Sequence, residues 1–537
     1  MKTFDFIIIG GGSAGCVLAD KLSASGEHSV CLLEAGKADN NWLIHLPIGI
    51  IGLMKSRTLN WQFNTQAEKH LNQREVFMPR GKTLGGSSSI NAMLYTRGQK
   101  HDYDHWQSLG NQGWSYDDVL PYFKALEHQE RGADEFHGVN GPLNVADSVS
   151  KPAANDDFIQ AALNAGYPEN NDFNGASQEG IGYYQVTQKD GLRHSAAKAF
   201  LTPNLTRKNL TVITETRVEK ILINNGVASG VIYQYRGKRR QIMANKEVIV
   251  SAGAINSPQI LMLSGIGPKA ELAKHNITPA HILEGVGQNL QDHVDVLCVA
   301  QHNRTELLAY RPKAIWWGIK EAVKFVTKRT GLLTTVIAES GGFIKSQPQL
   351  TEPDLQLHFV PAAMDDHGRN HKLLFSYGMA LHVCLLRPKS RGSIQLNSNN
   401  ILHQPRIELN MLAHQDDIET MLTGVKIAKS ILTTPPLSVS HVKFIFPDEN
   451  CTSDQALTQF LKNKSNTIYH PVGTCKMGQD ELAVVDEQLK VRGIKQLRVI
   501  DASIMPTLIS GNTNAPTMMI AAKGSDMILA EHGKNKE

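Results

Sequence analysis

Gly10, Gly12 and Gly15 fall at the spacing G-x-G-x-x-G, and Glu34 follows nineteen positions after the last of them. Glycines so placed let the chain turn tightly, bring its backbone up to a pyrophosphate and pack a helix close to a strand. The helix N–H groups then point at the phosphates. A carboxylate at Glu34 accepts hydrogen bonds from a ribose and repels a 2′-phosphate. The chemistry is that of an adenine dinucleotide site. A second stretch, Arg80-Gly81-Lys82-Thr83-Leu84-Gly85-Gly86-Ser87-Ser88-Ser89-Ile90-Asn91-Ala92-Met93, suits a backbone that passes close to a planar ligand. Small side chains leave room, while hydroxyl and N–H groups supply hydrogen bonds. A flexible loop is the commoner meaning of G-G-S-S-S. Direct continuation into the apolar run Ile90 to Tyr95 argues against a slack linker.

These residues need particular elements beneath them. Phe4 to Ile9 is a β-branched and aromatic run of the kind that fills a buried parallel strand. Cys16 to Leu22 carries apolar residues at helical spacing, and Val30 to Leu33 reads as the next strand, which completes a β-α-β unit. Residues 41–73 read as an excursion over the nucleotide site. Ser115 is a candidate N-cap for a helix reaching Leu126. Val212-Ile213, Lys220 to Val231 and Glu247 to Ser251 read as strands, and Ala252-Gly253 opens a further helix, so this segment returns to the nucleotide unit. Gly285 to His293 is a tight polar turn whose purpose spacing does not reveal. Alternating runs such as Leu355 to Val360, Met379 to Leu386 and Ser393 to Leu396 predict a separate antiparallel sheet. Between them, Arg311 to Arg329 interleaves basic residues with Ile315, Trp316, Trp317, Ile319, Val323 and Phe325. A helix over the substrate pocket and an amphipathic helix on a membrane surface both fit that pattern, the first more commonly. Leu497 to Ile500 is a strand ending in Asp501-Ala502, and a last helix follows Asn512 and Asn514.

At 537 residues the chain exceeds one ordinary core. Lys and Arg number 55 against 51 Asp and Glu, an excess too small for a nucleic-acid footprint. The six cysteines form no C-x-x-C pair, suggest no metal site and suit reduced thiols of a cytoplasmic protein. The first strand starts almost at Met1, which leaves no room for a signal peptide, and no apolar run is long enough to span a bilayer.

The ordered set of motifs resembles the glucose–methanol–choline family of flavoprotein oxidoreductases. It comprises G-G-G-S-A-G at 10–15, L-G-G-S-S-S-I-N at 84–91, G-A-I-N-S-P-Q-I-L-M-L-S-G-I-G at 253–267, Y-H-P-V-G-T at 469–474, D-A-S-I-M-P at 501–506 and G-N-T-N-A-P-T at 511–517. Essentially the whole chain is covered. The resemblance implies an α/β FAD-binding domain, Rossmann-like and of the p-hydroxybenzoate hydroxylase type, over 1–150, 190–295 and 465–537. It also implies an α+β substrate domain with a mostly antiparallel sheet over 151–189 and 296–464. Position by position, it assigns cofactor contacts to Gly10, Gly12, Ser13, Ala14, Gly15, Glu34 and Ala35. Arg80, Thr83, Gly85, Gly86, Ser87, Asn91, Ala92 and Met93 follow, then Val218, Ala252, Gly253, Asp501, Ala502, Asn512, Pro516 and Thr517. His470 matches the catalytic histidine, and Asn514 is expected as the second catalytic residue, orienting the oxygen that His470 deprotonates. Ile90 stands where some members carry a histidine bonded to FAD, so the FAD is expected to be non-covalent.

Within the family, Gly182 to Lys189 and Ala338 to Phe343 resemble medium-chain aliphatic alcohol dehydrogenases. The implied reaction is oxidation of a primary alcohol to an aldehyde by hydride transfer to flavin N5, with electrons passed to a quinone-type acceptor. A cytoplasmic protein touching the inner face of the cell membrane fits the basic, Trp-bearing segment. Choline dehydrogenase, with Glu339 as a candidate partner for trimethylammonium, an oxygen-using alcohol oxidase and a hydroxynitrile lyase are the alternatives.

Overall fold

Phe6 to Ile9 are buried because β1 (Lys2–Ile9) lies inside a sheet with strands on both sides. In the computed structural model, which describes residues 2–302, 309, 313–370, 372–439 and 442–533, β1 leads through a glycine turn into α1 (Ser13–Ser23). β2 (Val30–Leu33), β3 (Leu210–Ile213), β4 (Thr216–Asn224), β5 (Val227–Tyr235) and β6 (Lys238–Val250) complete the path of this sheet. Its order is β3-β2-β1-β6-β5-β4. The first three pairings are parallel and the last two antiparallel. The tail strand Leu497–Val499 adds in parallel beside the end of β6. The expected strand 220–231 is two strands: Asn225 and Gly226, at φ 49° and 75°, turn the chain back into a hairpin. Both central residues of such a turn need positive φ, and Asn-Gly supplies it.

After β6, α2 (Gly253–Leu263) starts where Asp501 accepts hydrogen bonds from the Gly253 N–H at 2.8 Å and the Ser257 hydroxyl at 2.6 Å. The second sheet is wholly antiparallel. Its inner strands are β7 (Val294–Gln301), β8 (Ser340–Ile344), β9 (Leu355–Val360) and β10 (Gly378–Leu385), in the order β7-β10-β9-β8. Gly180–Tyr183 pairs with β8, while Lys443–Phe446 and Asn466–Thr467 pair with β7. Alternation in β9 sends Phe359 onto Phe158, stacked at 4.7 Å, and turns His358 and Val360 to a large cavity.

The chain's end returns to its beginning. The C-terminal helix Asn514–His532 packs on α1, and the Ser13 hydroxyl donates to Asn514 Oδ1 at 2.7 Å. A helix spans Lys313–Lys328. Arg311 and the side chains of Lys313, Ile315, Trp316 and Trp317 lie outside the described residues. Ile319, Val323 and Val326 of this helix are exposed, whereas Glu321 is buried and accepts the Leu332 N–H at 2.7 Å. Among the described residues no helix is long and apolar enough to cross a membrane.

Candidate active site

One cavity of about 960 Å³ joins the carboxyl end of β1 to the inward face of the antiparallel sheet. Small-molecule sites run to about 1,000 Å³. The cavity opens at the crevice where a doubly wound sheet takes its ligand. Gly10, Gly12, Ser13, Ala14, Glu34 and Ala35 line it, as do Arg80, Gly86, Ser87, Asn91, Ala92 and Met93. So do Val218, Ala252, Gly253, Asp501, Ala502, Asn512, Asn514, Thr517 and His470. The four other expected residues stand behind this wall. A Cβ on Gly15 would lie 1.9 Å from the Gly10 carbonyl oxygen, so only glycine lets α1 pack there. The Thr83 hydroxyl donates to the Lys37 carbonyl at 2.9 Å, the Gly85 N–H to the Gly11 carbonyl at 2.8 Å, and Pro516 is buried in the C-terminal helix.

The two glycine loops therefore touch. A Cβ on Gly86, whose φ is +53°, would lie 2.7 Å from the Gly12 Cα. Backbone without side chains, at the N-terminus of α1, is what a diphosphate needs. Glu34 accepts the Gly11 N–H at 2.8 Å and the Gly36 N–H at 2.6 Å, and burial pushes its carboxyl up to about 7. Arg193, which motif reading missed, buttresses the serine loop. It donates to the carbonyls of Ser88 at 3.2 Å and Asn91 at 2.6 Å and to the Asn91 side chain at 2.8 Å. Burial holds its guanidinium down to about 9. Residues and room fit a flavin dinucleotide.

His470 stands on the same wall. Its N–H donates to Asp292 Oδ1 at 2.8 Å, its Nδ1 lies 2.9 Å from His293 Nδ1, and its Nε2 lies 3.2 Å from Asn512 Nδ2. Asn512 Oδ1 is held by the Thr96 hydroxyl and by Gln356 Nε2, each at 3.2 Å. The expected pairing of His470 with Asn514 is thus corrected. Asn514 begins the C-terminal helix and its side chain is taken by Ser13 at the glycine turn; Asn512, still outside the helix, is the amide beside the imidazole. The turn Gly285 to His293 acquires its purpose here, since Asp292 and His293 anchor His470.

Desolvation holds His470 well below the ordinary imidazole value, with His293, Arg80 and His358 adding to the effect. Burial takes His293 to about 4 and His358 to about 3. These imidazoles are neutral at neutral pH. His358 lines the cavity at 3% exposure with neither ring nitrogen bonded to protein, and alternation alone did not mark it out. Glu339 is fully buried, bonded to the Thr335 hydroxyl and off the cavity wall, with burial pushing its carboxyl up. Among the described lining residues the only carboxylates are Glu34 and Asp501.

Two models of the GMC oxidoreductase family match the chain, over residues 4–295 and 388–521. The chain belongs to the GMC oxidoreductases, which bind FAD. It is 47% identical to "Alcohol dehydrogenase [acceptor]" of Pseudomonas putida, covering 98% of this chain and 96% of that one. It is 42% identical to "Oxygen-dependent choline dehydrogenase" of Vibrio vulnificus, covering 98% and 94%. Its fold matches the crystal structure of pyridoxine 4-oxidase from Mesorbium loti with a TM-score of 0.88 at 28% identity, over 98% and 99% of the two chains.

The geometry gives the two asparagines different partners, the His470 ring for Asn512 and the Ser13 hydroxyl for Asn514. Asn512→Ala is expected to slow substrate-driven flavin reduction by about 10²–10³-fold with flavin content intact, as loss of an oxyanion donor does. Asn514→Ala should instead lower flavin retention. The ratio of flavin to protein absorbance, read beside stopped-flow reduction, checks both; equal rates for the two variants would contradict the assignment.

Proposed function

We propose that the protein oxidises primary, uncharged aliphatic alcohols to aldehydes, with His470 as base and Asn512 as hydrogen-bond donor to the alcohol oxygen. The observation that carries this reading is the pair of His470 Nε2 and Asn512 Nδ2, 3.2 Å apart on the cavity wall. Bound FAD supplies the hydride acceptor, N5 of its isoalloxazine ring. A neutral imidazole takes the hydroxyl proton, and an amide stabilises the developing alkoxide without competing for that proton. Ile90, a cavity residue with no nucleophile, supports a non-covalent FAD.

Trp61, Phe375 and Tyr469 put aromatic faces on the cavity wall, and it is the engagement of its carboxylates that favours an uncharged substrate over choline. A trimethylammonium group wants a carboxylate or an aromatic cage. Glu34 and Asp501 are engaged by N–H donors at the nucleotide end, and Glu339 is off the wall. Met93, Leu94, Val336, Val360, Ala362 and Met364 line the cavity as apolar surface. The 47% identity to the Pseudomonas alcohol dehydrogenase supports the same choice. Anaerobic titration of the yellow protein tests it. Under the proposal 1-hexanol and 1-octanol bleach the flavin at least about tenfold faster than choline at equal concentration. Faster bleaching by choline would make it a choline dehydrogenase. Bleaching by no alcohol would leave acid–base chemistry alone, as in a hydroxynitrile lyase.

We further propose that the electrons pass to a quinone-type acceptor at a membrane surface. Ile319, Val323 and Val326 sit at i, i+4 and i+7 and are 51%, 56% and 75% exposed. The residues just beyond this helix, Leu332 and Thr335 to Ala338, line the cavity. An exposed apolar helix face, followed in the chain by residues of the cavity wall, suits substrates drawn from a bilayer. Replacing Ile319, Val323 and Val326 with serine is expected to abolish co-sedimentation with anionic liposomes while leaving turnover of 1-hexanol with a soluble quinone analogue unchanged. Undiminished liposome binding would contradict the membrane contact, and hydrogen peroxide as the main product under air would contradict the quinone.

A further inference from the structure

We propose that His293 is a positioning residue that fixes the tautomer of His470, leaving the lone pair on the nitrogen beside Asn512. The inference rests on the reading of His470 as the base.

His293 is fully buried, and its Nε2 lies 3.1 Å from the carbonyl oxygen of Ile509. A carbonyl only accepts, so that nitrogen carries the hydrogen. A neutral imidazole has one donor and one acceptor, which leaves the lone pair of His293 on Nδ1. The hydrogen-bond partner of that nitrogen is His470 Nδ1, 2.9 Å away, with the two rings at 89° to each other, and the Leu386 carbonyl is a further acceptor beside the ring. His470 must therefore donate from Nδ1. Its own lone pair is then on Nε2.

The other end of the chain gives the same result independently. Asn512 Oδ1 accepts from the Thr96 hydroxyl and from Gln356 Nε2. Its Nδ2 is thereby the atom turned to His470 Nε2, a donor facing a nitrogen that must accept. Ile509, His293, His470 and Asn512 form one directed series of hydrogen bonds whose polarity is set at both ends. Free imidazole populates both tautomers, and the wrong one would present an N–H to the alcohol and take no proton.

The proton balance is simple. The alcohol O–H bond breaks and its proton forms an N–H bond at His470 Nε2. The Nδ1–H of His470 stays where it is, donated to His293 Nδ1, and His293 neither gains nor loses a proton. His293 thus does for His470 what the buried aspartate does in a Ser-His-Asp triad, with a neutral acceptor in place of a carboxylate. The charged or titratable groups facing His470 are His293, Arg80, His358 and Asp292, the last accepting its backbone N–H.

Two variants separate this role from a merely structural one. In His293→Asn the amide oxygen stands near the place of Nδ1 and can accept from His470; in His293→Leu nothing can. We expect His293→Leu to lower kcat/KM for 1-hexanol by about 10²-fold or more with flavin content kept, and His293→Asn to recover most of that loss. The acid limb of the pH–rate profile should move to lower pH in the leucine variant, because the protonated His470 has lost its acceptor. Nitrogen-15 histidine spectra of the wild type, with His470→Gln to identify the signal, should show a protonated Nδ1 and an unprotonated Nε2 on His470. The reverse tautomer, or a leucine variant with wild-type kcat/KM and pH profile, would overturn the proposal. So would an asparagine variant as slow as the leucine one. The spectra read the tautomer without turnover, so a protein that oxidised no alcohol would sink the proposed function and leave this inference separately decided.

Discussion

Between Thr467 and Asn514 the chain crosses from the antiparallel sheet back to the nucleotide sheet, and one turn, Asn289 to His293, pins it on the way. Asn289 Nδ2 donates to the Gly473 carbonyl at 3.2 Å, and Gln291 Nε2 donates to the Pro506 carbonyl at 3.1 Å. Gln291 Oε1 accepts the Leu508 N–H at 3.1 Å, and Asp292 takes both the Thr467 hydroxyl and the His470 N–H. Buried polar networks of this kind are rigid when complete, and each partner lost costs about 1–3 kcal/mol. The result is that the backbone under His470 is fixed before any substrate arrives. Every chemical statement about the site depends on that anchoring.

The cavity separates two kinds of chemistry along its length. At the nucleotide end, bare glycine backbone and the N-terminus of α1 present donors, and Glu34 and Asp501 present two carboxylates. At the other end His470 and His358 are imidazoles kept neutral by burial, set among methionine, valine and alanine, with Arg80, Arg369 and Tyr469 on the same wall. A neutral base needs no counter-ion, and burying an unpaired charge against apolar surface costs free energy. The same chamber suits an aliphatic chain.

Much of this was legible in the sequence. The glycine turn, β1, α1 and β2 followed from composition and spacing, because a β-α-β dinucleotide unit concentrates its requirements in consecutive residues. Ser115 caps its helix as expected, with Asp118 completing a capping box. The Asn225-Gly226 turn divides a stretch whose apolar pattern reads as one strand, although the turn signal itself is local. What sequence could not supply were partnerships across hundreds of positions. Asn512 and Asn514 differ by two residues, and only the start of the helix between them decides which one meets His470. Arg193 and His293 act by reaching backbone and side chains far away, so no neighbour in sequence advertises them. In β9 the alternation was real, yet its polar face, with His358, looks into the cavity and not to solvent.

The imidazole pinned at position 470 is the group proposed to remove the alcohol proton. Stopped-flow reduction of the flavin by 1-octanol in His470→Ala tests it most directly. The variant is expected to keep its FAD and to reduce it about 10²–10⁴-fold more slowly than the wild type. A His470→Ala protein that is fully loaded with FAD and bleached at the wild-type rate would contradict it.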